Sequence, residues 1–280
     1  MKEISALFTE LDYRLIRGAL EGEAGALVYD TRKVTKNCLF VCIKGLVYDS
    51  HEHITEIADA GARYIVVERP VEAPDGVTLI EVKDTRYALA ILSAAWFDWP
   101  ARRMKVIGVT GTKGKTTTTF MIKGILEHAG YRVGLIGTIE AIIGDEQIPA
   151  DNTTPESYLI QEYFARMVDA GCEICVMEVS SQGLMMHRTA GIPFEIGIFT
   201  NLVPDHIGPN EHASFEEYAA CKGLLFRQCR HGIANIDDEN FDLVLNGHTC
   251  DLETIGFSEQ ADYRASDMEL LGGEGYLGVK

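Results

Sequence analysis

The residues best suited to chemistry are Gly111-Thr112-Lys113-Gly114-Lys115-Thr116-Thr117. In such a run, glycines let backbone amides turn toward phosphate oxygens, a lysine reaches the outer phosphates, and the next threonine hydroxyl can bind Mg²⁺. Val109 stands where the first glycine of Gly-x-x-x-x-Gly-Lys-Thr would fall. A glycine-rich turn with an exposed lysine is the plainer alternative. The setting decides between the two. Residues 105–110 are a β-branched, strand-like run, and residues 116–128 read as a helix stopped at Gly130, which is how a phosphate loop is held. Nucleotide binding is the expectation.

The run Ile174-Cys175-Val176-Met177-Glu178 ends an apolar strand in an acid. At the carboxyl end of a parallel sheet that carboxylate lies beside the phosphate loop, where Mg²⁺ would be held; without the loop it would read as a local cap or ion pair. Asp205 and His206 follow the next apolar run, residues 196–201, and so emerge on the same edge. A lone histidine is more often structural, but this one is aimed at the same place. Lys222 is the least expected residue. Ser214 and Glu217 form a capping box, after which Phe215, Tyr218, Leu225 and Phe226 fall on one apolar helical stripe that includes Lys222. Two readings stand open. The lysine snorkels to water, or burial lowers its pKa until the neutral amine adds CO₂ and becomes a metal-binding carbamate.

These side chains need a frame. The texture changes near Trp99-Pro100-Ala101-Arg102-Arg103, which places a boundary between domains 1–100 and 101–280. In the first, residues 38–43 and 64–67 read as buried strands and 54–60 as a helix closed by Gly61. In the second, strands at 105–110, 133–138, 174–179 and 196–201 alternate with helices at 116–128, 155–170 and 215–229. Thr154 is the expected N-cap of the 155–170 helix, with Pro155 at its first position and Gly171 beyond its end. Continuous apolar strands alternating with helices predict an α/β fold: a small N-terminal α/β domain, then a P-loop-type, mostly parallel, doubly wound sheet.

Length and charge narrow the function. At 280 residues the chain has room for about two domains, each with its own core. A net charge of -17 repels nucleic acid and anionic lipid, so neither is an expected partner. The longest nearly apolar run, residues 88–97, is too short to cross a bilayer, and residues 1–12 lack an export signal's apolar core. A cytoplasmic protein, monomeric and not inserted in a membrane, is the expectation. Seven scattered cysteines fit free thiols. Cys172 and Cys175 have metal-like spacing, but a strand turns them to opposite faces, so core packing is expected.

Five ordered motifs together resemble the Mur ligases. They are Gly108-Val109-Thr110-Gly111-Thr112-Lys113-Gly114-Lys115-Thr116, Asn152-Thr153-Thr154-Pro155, Glu178-Val179-Ser180-Ser181, Thr200-Asn201-Leu202 with Asp205-His206, and Tyr218-Ala219-Ala220-Cys221-Lys222. Asp30-Thr31-Arg32, Cys38-Leu39-Phe40-Val41, Gly45 and Asp49-Ser50-His51 are similar to the uridine-nucleotide domain of the branch that adds the third peptide residue to UDP-N-acetylmuramoyl-L-Ala-D-Glu. The resemblance implies ATP-dependent amide formation through an acyl phosphate, in peptidoglycan synthesis, with ATP, Mg²⁺, the UDP-muramoyl dipeptide and a diamino acid as partners.

By position it implies that Gly111, Thr112, Lys113, Gly114, Lys115, Thr116 and Thr117 hold ATP. Thr116, Glu178, His206 and carbamylated Lys222 would surround the metal, with Lys115, Glu178, His206 and Lys222 as the catalytic set. Thr31, Asn152, Thr153, Thr154, Ser180 and Arg188 would bind the UDP-muramoyl dipeptide. Lys113, Gln182, Thr31 and Ser50 stand where the family more often has Asn, His, Ser and Gly. The family pattern also continues past residues 261–267 and adds a third domain. A C-terminally truncated chain is therefore expected, with an incomplete central domain and no C-terminal ligase domain. Two rivals remain. One is a related ligase that extends folate with glutamate, which predicts no uridine recognition in residues 1–100; the other is a nucleotide-binding module without catalysis.

Overall fold

The computed structural model describes residues 1–205, 207–209, 211–273 and 276–279. The chain divides into two compact units, Met1–Met104 with Pro155–Cys172 and Met185–Ile192, and Lys105–Thr154 with Glu173–Leu184 and Pro193–Lys280. Strands and helices interleave in both, as an α/β fold requires.

The first unit is built on a five-stranded sheet in the order Arg14–Arg17, Thr78–Glu81, Ala62–Val67, Cys38–Val41, Leu27–Val28. Only the Arg14–Arg17 edge is antiparallel. Alternate residues of one strand feed two different cores. Leu39, Val41, Tyr64, Val66 and Ile80 pack with helix Thr85–Trp96, while Cys38, Phe40, Ile65, Val67 and Leu79 pack with helix Ile54–Asp59. A strand apolar on every residue is thereby buried on both faces, which is why no in-out alternation shows in the sequence. Asp84 starts helix Thr85–Trp96 by accepting from the Tyr87 amide at 2.8 Å. Helix Ser157–Asp169 packs against the same unit.

The second unit carries a nine-stranded sheet. Its order is Glu146–Pro149, Glu140–Ile143, Val133–Ile136, Ile174–Glu178, Lys105–Thr110, Phe194–Phe199, Cys229–Asn235, Asp251–Gly256, Tyr263–Arg264. All pairings are parallel except the first two, which form a hairpin on the edge. Ile107, Val109, Val133, Ile174 and Val176 make one face of its core.

Local expectations need correcting at three places. Helix 155–170 begins at Ser157, with Glu156 as N-cap, and Thr154 does not cap it. The Thr154 hydroxyl instead donates to the Glu178 carbonyl at 3.0 Å and accepts from the Ser180 amide at 2.9 Å, so a neighbouring strand end has recruited it. Helix 215–229 ends at Gly223, passes through a 3-10 turn at Leu224–Arg227, and gives way to a strand from Cys229. The turn keeps Leu225 and Phe226 buried, so an apolar stripe survives where the helix does not. Cys172 lies before its strand, its amide closing the preceding helix on the Met167 carbonyl at 2.8 Å; Cys172 and Cys175 are both buried and neither is in a disulfide.

Candidate nucleotide and metal site

Three neighbouring strands of the second unit end at one rim. Glu178 lies opposite Val109 and Phe199 opposite Thr110 in register, so the loop after Thr110, the Glu178 carboxylate and the Thr200-Asn201 pair leave the sheet together. Gly111 turns the chain there with φ of 150°, a region closed to residues with a Cβ. A Cβ at Gly111 would also collide with Thr200 Oγ1. The loop is then tied down. The Thr112 amide donates to the Asn201 carbonyl at 2.8 Å, and the Lys113 amide to Asn201 Oδ1 at 2.9 Å. Helix Lys115–His128 starts at the end of the loop with Gly114 as its cap, leaving its first amides toward the rim.

Lys115 Nζ donates to the Gly111 carbonyl at 3.0 Å and the Thr112 carbonyl at 3.1 Å. Burial lowers its pKa, and the Lys113 charge lowers it further against opposing carboxylates at Glu178 and Asp205. Lys222 does not snorkel. It is 2% exposed, and its ammonium donates to the same Gly111 carbonyl at 2.9 Å and lies 4.4 Å from the Tyr218 ring centroid. Burial, then the Lys115 charge, pulls its pKa down to about 7. Near neutral pH a large share of this amine is uncharged and nucleophilic. Tyr218 closes the group, its hydroxyl 3.1 Å from Thr112 Oγ1.

Glu178 is buried and its carboxylate is held from several directions. Thr116 Oγ1 donates to Oε1 at 2.9 Å, the Thr138 amide donates to Oε1 at 2.9 Å, and Thr138 Oγ1 lies 3.0 Å from Oε2. Gly137 allows the approach, since a Cβ there would stand 2.5 Å from Oε1. The Thr116 hydroxyl and the Glu178 carboxylate thus offer adjacent oxygen donors, the type that suits Mg²⁺. Among the described residues, no group of three or more His, Cys, Asp or Glu side chains could hold a metal ion. The fit therefore rests on this hydroxyl–carboxylate pair beside a phosphate loop.

The residues expected to bind the dipeptide substrate fall in both units. Thr153 Oγ1 lies 3.0 Å from Thr138 Oγ1, and Thr154 and Ser180 bond to each other beside Glu178, so these three share the rim. Asn152 is exposed on the same segment, and Thr117 is exposed on the first turn of the loop helix. In the first unit, Thr31 begins a 3-10 turn capped by Asp30. The Arg32 guanidinium on Asp30 holds that carboxyl below its usual range. Thr31 also lines a cavity of about 530 Å³ with Tyr29, Asp30, Arg32, Ile43, Gly45, Tyr48 and Ser50. Arg188, in the same unit, faces Glu156 at 3.7 Å, which Arg86 also approaches at 3.6 Å. His206 lies outside the described residues.

Sequence reasoning misses Thr138, which bridges Glu178 and Thr153, and gives no role to Asn201, which anchors the loop on both sides of Lys113. The usable signal for Thr138 is a Gly-Thr step directly after a buried strand. His212 is also unanticipated: it is buried, its Nε2 2.8 Å from Ser181 Oγ.

The Mur ligase middle domain family matches residues 109–276. The UDP-N-acetylmuramoyl-L-alanyl-D-glutamate--2,6-diaminopimelate ligase of Clostridium perfringens is 43% identical over 271 residues, which are 95% of this chain and 56% of the relative. Ligase 1 of the same name from Clostridium acetobutylicum is 41% identical over 268 residues, 96% of this chain and 55% of the relative. The chain spans about half the length of these curated relatives. A solved structure of a ligase of that name matches with a TM-score of 0.78 at 23% identity, covering 91% of this chain and 53% of the other. The MurF ligase of Thermotoga maritima in complex with ADP shares the fold at a TM-score of 0.55 and 21% identity, over 90% of this chain and 54% of the other.

Proposed function

The chain belongs to the Mur ligase family, and on that premise we propose that its residues form the substrate- and ATP-binding part of an amide ligase. That ligase adds a diamino acid to UDP-N-acetylmuramoyl-L-alanyl-D-glutamate in peptidoglycan synthesis. The names of the relatives favour 2,6-diaminopimelate as the diamino acid. One observation carries the reading: Lys115, Lys222, Thr116 and Glu178 gather around the Gly111 loop at a single sheet edge.

In the reaction, the D-Glu side-chain carboxylate attacks the γ-phosphate of ATP, releasing ADP and forming an acyl phosphate. The incoming amine then displaces inorganic phosphate. Two anions must approach each other in the first step, so positioning and charge neutralisation dominate the barrier. Lys115 supplies a cation that leaves the loop carbonyls for the outer phosphates, while the loop amides and the helix start bind the rest. Thr116 and Glu178, with His206 and Lys222, would hold Mg²⁺, which when bound supplies further positive charge to the phosphate oxygens. The neutral Lys222 amine forms an N–C bond to CO₂ and gives up one N–H proton to solvent, turning an uncharged buried amine into a carbamate anion. Thr153, Thr154 and Ser180 stand beside Glu178 to orient the acceptor. Thr31 in its cavity and Arg188 bind other parts of the UDP-muramoyl dipeptide, whose acidic groups suit a guanidinium.

Calorimetric titration with the UDP-muramoyl dipeptide and, separately, with folate tests the substrate class. Binding of the former alone is expected, and Thr31→Val is expected to weaken it. Preferential folate binding would contradict the assignment.

A further inference from the structure

Lys113 places a second ammonium on the phosphate loop, two residues before Lys115, where the loop pattern requires no particular side chain. Its backbone is pinned. The amide donates to Asn201 Oδ1 at 2.9 Å, and the carbonyl accepts from Thr200 Oγ1 at 2.8 Å and Asn201 Nδ2 at 3.1 Å. Its side chain is not. It is 73% exposed and rests on Asp205 Oδ2 at 3.2 Å, an acid that is itself 37% exposed. Asp205 also acts on the other two lysines, favouring their charged forms. Asp205 therefore acts on all three ammonium groups around the Gly111 turn, sharing Lys115 with Glu178.

An ion pair this exposed is weakly held. A phosphate oxygen on a polyanion is a stronger acceptor for an ammonium than a solvated carboxylate. The Lys113 side chain bonds to Asp205 and is free to change partner, since its backbone anchors do not depend on it.

We propose that Lys113 rests on Asp205 and exchanges onto the terminal phosphate of a bound nucleoside triphosphate, giving the loop a preference for triphosphate over diphosphate. This rests on the proposed nucleotide site and adds its selectivity. Lys115 serves the outer phosphates together, whereas Lys113 rewards the last one.

The test is calorimetric titration of the full chain with Mg²⁺ and either a non-hydrolysable ATP analogue or ADP. Lys113→Asn is expected to weaken analogue binding about fivefold and ADP binding less than about twofold, with Lys113→Arg restoring most of the preference. The difference shrinks at high salt, because the side chain is exposed. Asp205→Asn strengthens analogue binding more when Lys113 is present than in the Lys113→Asn background. Thermal unfolding of the nucleotide-free variants is expected to match the parent. An unchanged analogue-to-ADP ratio in Lys113→Asn overturns the selectivity, and equal effects of Asp205→Asn in both backgrounds overturn the exchange, while the nucleotide site itself stands. Failure of the unaltered chain to bind either nucleotide overturns both.

Discussion

Lys115 and Lys222, distant in sequence, donate to one carbonyl oxygen, that of Gly111, at 3.0 and 2.9 Å. Two ammonium groups on one acceptor repel, and the more deeply buried of them yields its proton more readily. Burial lowers the pKa of both lysines and brings that of Lys222 to about 7.

Stability should depend on pH through Lys222. Its pKa falls on folding from 10.5 to about 7, so between those values the folded chain binds fewer protons than the unfolded chain. Stability therefore rises with pH across that window, and the cost of burying the ammonium is fully present below pH 7. Lys222→Met is expected to raise the urea midpoint most near pH 6 and progressively less toward pH 10, measured in CO₂-free buffer. A gain independent of pH would contradict the burial of a charge-labile amine.

The proposed Lys222 carbamate has its own signature. With ¹³C-bicarbonate, a labelled carbamate signal is expected near pH 8.5, to be lost on acidification and absent in Lys222→Arg. On the proposed function, ligase activity should fall at least tenfold in Lys222→Ala and stay low in the arginine variant, because only lysine takes up CO₂. Retained activity with arginine would reject the modification.

Glu178→Gln keeps an oxygen for Thr116 or the Thr138 amide but removes the charge. Folding stability should change by less than about 2 kcal/mol, since a buried neutral amide can still pair. The increase in ATP affinity that Mg²⁺ provides should largely vanish. If Mg²⁺ strengthens ATP binding equally in parent and variant, Glu178 is not where the metal is held.

Gly111→Ala places a Cβ at a φ of 150° and against Thr200 Oγ1. Destabilisation of about 2–4 kcal/mol is expected from the combined strain and clash, with weakened nucleotide binding. Thr200→Ala should recover part of the loss by making room, leaving the backbone strain. Denaturant titration of the two single variants and the double variant measures that coupling.

Much of the candidate site is legible in the sequence because the chemistry it would perform is local. A phosphate loop needs its glycines and lysine consecutively, so residues 111–117 can be read without knowing the fold, and an acid ending an apolar strand marks Glu178. Thr138 cannot be read this way: it reaches Glu178 only because strand Val133–Ile136 lies next to Ile174–Glu178, a sheet order that no local pattern specifies. Lys222 illustrates a second limit. Its stripe is visible, but whether the amine reaches water depends on Tyr218 and the Gly111 loop closing over it. The misplaced end of its helix has the same origin, since a 3-10 turn and an α-helix bury Leu225 and Phe226 alike.

The most direct measurement is titration of the chain with ATP, with and without Mg²⁺, alongside a folded Lys115→Ala variant. Saturable binding that Mg²⁺ strengthens, and that Lys115→Ala weakens at least tenfold, is the expected result. No binding by the unaltered chain, or equal affinity in the variant, would contradict a magnesium-nucleotide site at the Gly111 loop.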